Sequence, residues 1–176
     1  QTSDFPRICR IPLSASGKPL YNHHNFDAWW GSHWSLDILW SMAYPHLMDD
    51  FCNTMLDMYR NGGLIPRGPS GGNYTYVMIG DPAVSFFATA YNKGIRNYDA
   101  DLAYEGLRKN AFPGGIRDHA GYEHSKDAHS GGMEYYIKMG YVPDGRANVV
   151  GMHTTGASMT LEYAYQDWCL AQMAKA

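Results

Sequence analysis

Five carboxylates lie beside aromatic-rich stretches of the chain and are the residues best suited to acid–base chemistry: Asp27, Asp37, Asp81, Glu162 and Asp167. Aromatic residues make up 14% of the sequence, and such rings either fill a core or stack against sugar rings. Cleavage of a glycosidic bond needs two carboxyl groups, one to protonate the leaving oxygen and one to activate water or attack the sugar. Five candidates do not identify such a pair.

Each carboxylate also has a structural explanation. Asp27 and Asp81 stand where helices are expected to begin, and capping accounts for a carboxylate there. Asp37 falls inside an apolar helical stretch, where burial without a partner would be costly. Glu162 and Asp167 are five residues apart on one predicted helix, hence on different faces, and are not expected to form a close couple.

Six of the eight histidines fall into two groups: His23, His24 and His33, then His119, His124 and His129. Adjacent histidines in a loop point in different directions, and no second pair completes a tetrahedral zinc site. The second group lies in a polar stretch that a solvated loop explains. The three cysteines are widely spaced and odd in number, which fits neither a disulfide framework nor a zinc site. The residues by themselves predict no metal site.

Composition narrows the possible partners. The net charge is −3 and no run of Lys or Arg interrupts the balance, so nucleic acid is not an expected partner. No apolar run approaches the ~20 residues that a membrane helix needs, so no membrane is expected either. G-x-S-x-G, P-loop and G-x-G-x-x-G motifs are absent. Acyl transfer and nucleotide binding therefore lack their usual sequence marks.

Hydrophobic periodicity and stop signals predict about six helices and no strand. The lead-in 1–24 is expected to be irregular, and the helices are predicted at 26–44, 46–61, 83–91 behind an Asp81–Pro82 cap, 102–110 capped by Asp99, 133–139, and 160–175 with Thr160 as N-cap and Glu162 in the first turn. Antiparallel helix pairs joined by alternately short and long connections favour an all-α toroid or bundle with long functional loops at one end. The last helix reaches Ala176 without a stop signal, which predicts that the polypeptide continues.

Three blocks carry a resemblance to a known family: NFDAWWGSHWS at 25–35, GLIPRGPSGGNYTYVM at 63–78 and TLEYAYQDW at 160–168. Together and in this order they resemble glycoside hydrolase family 92, the calcium-dependent exo-acting α-mannosidases. In that family a β-sandwich precedes an (α/α)6 barrel, so residues 25–176 are expected to be the N-terminal portion of that catalytic domain. The resemblance implies an α-1,2-mannosidase-like enzyme that inverts the anomeric configuration.

The family's catalytic Glu and Asp, and its main calcium motifs, would follow Ala176. The resemblance therefore implies no catalytic residue and no metal ligand in this chain, although Ca²⁺ is the expected cofactor. It also implies a mannose-containing glycan as substrate, the remaining part of the same polypeptide as partner, and secretion or a periplasmic location. An isolated arc of helices would expose an apolar edge, so the chain alone is expected to aggregate or to depend on those partner segments.

The expected sugar-binding residues are Asp27, Trp30, His33, Arg67, Glu162 and Asp167. Trp30 would stack on the sugar or shape the pocket, while Arg67, Glu162 and Asp167 would bind sugar hydroxyls or position loops. Many members have Trp-Asp-Thr where this chain has Trp30-Gly31-Ser32, and the Asp is expected to bind mannose hydroxyls. Here Asp27, His33 or Asp37 would take over that contact, or the pocket would accept another sugar.

Two alternatives remain open at the level of sequence. One is a non-catalytic carbohydrate-binding or assembly protein that keeps the aromatic rim. The other is a different αα-toroid glycosidase, such as a trehalase-like or glucoamylase-like enzyme. Further departures from the family, Gln166 where many members have Asp and Tyr74 where they have Glu, would suit a subfamily with a different linkage preference.

Overall fold

The computed structural model describes residues 11–26, 28–68, 74, 78–119, 131–145 and 155–176. Six α-helices lie in this part of the chain: α1 Leu36–Ala43, α2 Pro45–Gly62, α3 Ala83–Asn92, α4 Ala100–Asn110, α5 Met133–Met139 and α6 Gly156–Lys175. The described residues include no β-strand, only an isolated bridge between Leu13 and Pro19. Residues 11–24 contain no helix. The predicted all-α class is thus confirmed for the described residues.

Helix α3 lies at the centre of the fold. It contacts α1, α2, α4 and α6, and most of its residues are buried, from Ala83 through Ala88 and again at Ala90. A helix that is apolar on nearly every side belongs inside a protein rather than at its surface. Helices α1, α2, α4 and α6 therefore pack around α3.

An aromatic cluster fills the part of the core that lies between α1, α2 and α3. The indole of Trp29 stacks on Phe86 with ring centroids 4.1 Å apart and meets Phe51 edge-on at 4.9 Å. Trp40 stacks on the same Phe51 at 5.3 Å. Trp29 also donates its indole N–H to the sulfur of Met55 at 3.1 Å, which satisfies its polar atom in the buried core.

Local signals predicted several helix ends well. Pro45 stands at the start of α2, and Gly63 ends that helix with a φ of 86° that suits glycine. The side chain of Asp99 caps α4 by accepting the N–H of Leu102 at 3.0 Å. Helix α5 has the predicted bounds and ends at Gly140 in the left-handed conformation.

Three predicted boundaries were wrong. The first helix does not run through 26–44, because Gly31 adopts a φ of 81° and is followed by a short 3-10 helix, Ser32–Trp34. Helix α6 starts at Gly156, so Thr160 is not its N-cap and Glu162 lies beyond its first turn. Thr160 instead donates its hydroxyl to the carbonyl of Gly156 at 2.8 Å, inside the helix. Pro82, not Asp81, takes the N-cap position of α3.

None of the helices in the described part of the chain has the length and apolar character needed to cross a bilayer.

Candidate functional site

A buried polar cluster forms where α3 begins and α6 passes the 3-10 helix Ile116–Asp118. Arg67 is one of its two buried arginines. The Nε of Arg67 donates to the carbonyl of Gly80 at 2.9 Å, and its Nη2 donates to the carbonyls of Ile116 and His119 at 2.8 Å each. These bonds join three separate segments of chain through one guanidinium. Arg67 therefore positions loops from inside the protein.

Gln166 links α6 to the start of α3. Its Oε1 accepts the backbone N–H of Asp81 at 2.8 Å, and its Nε2 donates to Oε1 of Glu162 at 2.8 Å. Gly80 lies against this amide with a φ of 79°, and a Cβ there would collide with the Gln166 side chain. Glu162 is thus oriented by a residue that is itself fixed to the backbone of another helix.

Asp81 is completely buried beneath this link. Neither of its carboxylate oxygens accepts a hydrogen bond of normal geometry from a described residue. Burial raises the pKa of Asp81 to about 6, while the nearby Arg117, Asn110 and Arg67 oppose that rise. The Asp81 carboxyl therefore titrates within the pH range in which enzymes operate.

Arg117 connects this interior to the surface. Its side chain is only 1% exposed, yet its Nη1 donates to Oδ1 of Asp167 at 2.5 Å, and the side chain of Asp167 is 45% exposed. The other oxygen, Oδ2, accepts the hydroxyl of Tyr136 at 3.0 Å. The pKa of Tyr136 rises to about 12 because burial and the bond to Asp167 both disfavour its anion. Asp167 is thus a half-exposed carboxylate fixed through both of its oxygens.

Tyr163 fixes the backbone that supports Arg117. Its hydroxyl donates to the carbonyl of Gly131 at 2.6 Å and lies 3.3 Å from the carbonyl of Arg117. The guanidinium of Arg117 also lies over the Tyr163 ring, 5.8 Å from its centroid. Gly131 donates its N–H to the carbonyl of Asp118 at 3.1 Å. Arg117 is therefore held at both its backbone and its side chain.

A row of aromatic rings lies on the other side of α6. Trp30 is 58% exposed and stands 6.2 Å from the ring of Trp34. The half-buried His33 lies 4.8 Å from the ring of Tyr165, which in turn stacks near Trp168 at 6.3 Å with an interplanar angle of 19°. Trp30 is available for contact with a ligand, whereas its neighbour Trp29 belongs to the core.

Asp37 is fully buried near this row, and neither of its oxygens is hydrogen-bonded among the described residues. Burial raises the pKa of Asp37 to about 6, against a smaller opposing effect of Ser32. Ionisation of Asp37 therefore carries the desolvation cost that the sequence predicts for a carboxylate in an apolar helix.

The predicted site residues divide into two groups around α6. Arg67, Glu162 and Asp167 belong to the polar cluster, and Trp30 and His33 belong to the aromatic row. Asp27 lies outside the described residues. Asp81, one of the five candidate carboxylates, also belongs to the polar cluster. Arg117, Tyr136 and Gln166 complete it but were not predicted as site residues, because their contacts join distant parts of the sequence.

The described residues do not fit a metal ion. They contain no group of three or more His, Cys, Asp or Glu side chains placed to share one. The buried carboxylate of Asp81 has Arg117 and Arg67 near it, and their positive charges disfavour a second cation there.

Comparison with known families identifies the chain. The family model for the glycosyl hydrolase family 92 catalytic domain matches residues 13–176. The chain belongs to glycoside hydrolase family 92. An uncharacterized secreted glycosidase of Arthroderma benhamiae is 29% identical over 140 residues, which cover 78% of this family 92 chain and 17% of that protein.

Two solved structures from Bacteroides thetaiotaomicron resemble this family 92 chain. One is a family GH92 α-mannosidase in complex with mannoimidazole, with a TM-score of 0.68, 27% identity, and coverage of 88% of this chain and 18% of that one. The other is a family GH92 inverting mannosidase, with a TM-score of 0.68, 26% identity, and coverage of 93% and 22%. The chain thus spans less than a quarter of the length of each relative, and its fold is part of the predicted (α/α)6 toroid.

Proposed function

We propose that this chain is the N-terminal portion, residues 25–176, of the (α/α)6 catalytic domain of an inverting exo-α-mannosidase that releases terminal mannose from glycans. The observation that carries the proposal is the family match over residues 13–176. Likeness to two mannosidases supports the choice of sugar. α-1,2-Linked mannose is the proposed preference.

In this proposal the residues of this chain contribute to sugar binding as two groups on different sides of α6. Trp30 offers an exposed ring for stacking, and Asp167 offers a fixed carboxylate for sugar hydroxyls. Glu162 is oriented by Gln166 for the same task. Arg67 acts at a distance by holding the segments around Gly80 and Ile116 together.

Inversion requires a general acid and a general base on opposite faces of the sugar, with room for water between the base and the ring. In this proposal both groups lie in the remaining part of the same polypeptide, after Ala176. In this proposal Trp30 and Asp167 bind and orient the glycan from different sides of α6, and the proton transfers are made by groups outside this chain.

Calcium belongs to the proposal as a cofactor whose main ligands lie outside this chain, as expected for the family. Among the described residues, no group of three or more His, Cys, Asp or Glu side chains is placed to share an ion. When bound, Ca²⁺ would help to distort and orient the terminal sugar. The secreted description of the Arthroderma benhamiae relative supports export of this protein to a secreted or periplasmic location.

The test uses the complete polypeptide that contains this chain. It is incubated with aryl α-mannosides, and proton NMR follows the first sugar anomer released. Release of β-mannose, loss of activity with a chelator and recovery with Ca²⁺ are the expected results. Release of α-mannose would contradict inversion, and unchanged activity after chelation would contradict the role of calcium.

A panel of aryl glycosides tests whether Gly31, at the position where many family members have Asp, changes the sugar that the enzyme prefers. Faster cleavage of an α-glucoside than of the α-mannoside would favour another toroid glycosidase. Saturable mannose binding without turnover of any glycoside would favour the non-catalytic carbohydrate-binding alternative.

A further inference from the structure

The carboxylate of Asp167 is held in an unusual way for a half-exposed side chain. Each of its oxygens accepts one hydrogen bond, Oδ1 from the guanidinium of Arg117 at 2.5 Å and Oδ2 from the hydroxyl of Tyr136 at 3.0 Å. A surface carboxylate ordinarily gains little from one ion pair, because ordering the side chains costs entropy. Here Arg117 loses little further conformational entropy on pairing, because its side chain is 1% exposed and is already fixed by its surroundings.

The contact with Asp167 compensates the buried positive charge of Arg117. Its Nε and Nη2 have no hydrogen-bond partner among the described residues, so the bond from Nη1 to Asp167 carries the side chain's direct ion pairing. The carboxylate of Asp81 lies on its buried side and interacts with it through charge rather than through a hydrogen bond. Breaking the bond to Asp167 would leave a buried charge poorly compensated, which is costly.

The geometry leaves Asp167 with capacity to bind a ligand. An ionised carboxylate has about four lone-pair sites, two on each oxygen. Arg117 and Tyr136 each use one, on different oxygens, and the side chain is 45% exposed, so that solvent or a ligand can reach it. Two hydroxyl donors on neighbouring carbons of a sugar ring suit two such acceptors on one rigid carboxylate.

We propose that Arg117 and Tyr136 are positioning residues that lock Asp167 so that its two oxygens accept a vicinal hydroxyl pair of the terminal sugar. This inference rests on the proposed glycosidase function. Neither residue touches the sugar; each acts through Asp167. The order of the contacts, from buried Arg117 to half-exposed Asp167 and then to ligand, resembles the support that precise polar sites require.

Tyr136→Phe tests the inference most directly, because it removes only the hydroxyl that bonds to Asp167, from a partly exposed helix. Tyr135→Phe is the matched control on the same helix, since that ring is exposed. In the complete enzyme, Tyr136→Phe is expected to raise KM for an aryl α-mannoside roughly 10-fold with little change in kcat, because Asp167 loses the charge-assisted bond that fixes its Oδ2 for sugar binding. Tyr135→Phe is expected to match the wild type.

Monodeoxy aryl α-mannosides separate positioning from a general structural effect. Tyr136→Phe should cause no further loss on substrates that lack the hydroxyls bound by Asp167. It should also cause no further loss in an Asp167→Asn background. Arg117→Lys should recover part of the affinity lost in Arg117→Met, and Tyr136→Phe keeps the test decisive if Arg117→Met does not fold.

An active wild-type enzyme with a Tyr136→Phe variant of unchanged KM would overturn this inference and leave the proposed function standing. An equal loss on every deoxy substrate, or additive effects with Asp167→Asn, would also overturn it. A wild-type enzyme that cleaves no glycoside would overturn the proposed function and this inference with it.

Discussion

The side-chain amide of Gln166 accepts the backbone N–H of Asp81 at 2.8 Å, across 85 positions of sequence. The same amide donates to Glu162 one helical turn away at 2.8 Å. An amide can accept one bond and donate the other because it carries both an oxygen acceptor and an N–H₂ donor. Gln166 is fully buried, and its bond to Asp81 is buried as well, whereas its bond to the half-buried Glu162 is partly exposed.

We predict that Gln166→Glu lowers the free energy of unfolding by roughly 3 kcal/mol at pH 7, because a buried carboxylate replaces the donor to Glu162. Burial raises the pKa of the new acid, so the loss should grow as pH rises and shrink as the acid is protonated. Urea unfolding from pH 4 to pH 8 measures this. Gln172→Glu, at a partly exposed position of the same helix, is the control, and an equal loss in both variants would contradict the prediction.

Gly131→Ala is predicted to destabilise the support of Arg117. A Cβ at this position would collide with the carbonyl oxygen of Arg117, a backbone atom that cannot move aside cheaply. We expect a loss of about 3 kcal/mol or more in chemical unfolding. Gly94→Ala is the control, because Gly94 has open space around it and only the strain of its φ of 79°, roughly 1–2 kcal/mol. Gly131→Ala as mild as this control would argue against the close packing.

Asp37 is predicted to make stability depend on pH. Its pKa is about 6 in the fold against 3.8 ordinarily, so the folded state holds the proton more tightly. The contribution of Asp37 to stability should therefore be most favourable below pH 4, fall as pH rises to about 6, and level off above, with a total loss of at most roughly 3 kcal/mol. Asp37→Asn should reduce this slope, whereas Asp101→Asn, on the exposed side of α4, should not. Thermal unfolding across this pH range compares the three proteins.

Trp30→Ala is predicted to raise KM for an aryl α-mannoside roughly 2- to 10-fold in the complete enzyme, because the stacking surface is lost. Trp30→Phe, which retains a ring, should lie between the wild type and Trp30→Ala. Phe112→Ala removes an exposed ring just past the end of α4, outside both groups of site residues, and is expected to leave KM unchanged. Steady-state kinetics decide this, and a larger effect at Phe112 would place the sugar elsewhere.

Helix ends were predictable wherever a local signal decided them. Pro45, Gly63, Asp99 and Gly140 each act within one turn of their own position, through a fixed φ, a left-handed conformation or a side-chain cap. Gly31 is a local signal of the same kind, but the apolar periodicity of 26–44 predicts a helix that runs through it. The start of α6 was missed because Thr160 can bond to a carbonyl inside a helix as readily as it can cap one.

The sequence by itself determined the family and the all-α class, because these depend on short sequence blocks, on hydrophobic periodicity and on local helix stops. Only the tertiary structure decided that Arg67 faces inward to backbone carbonyls, that Asp81 and Asp37 are buried without hydrogen bonds to their oxygens among the described residues, and that Arg117 holds Asp167. Arg117 and Asp167 stand 50 positions apart. No local pattern specifies such a pair, since its partners meet only when α6 packs beside α3 and the 3-10 helix Ile116–Asp118.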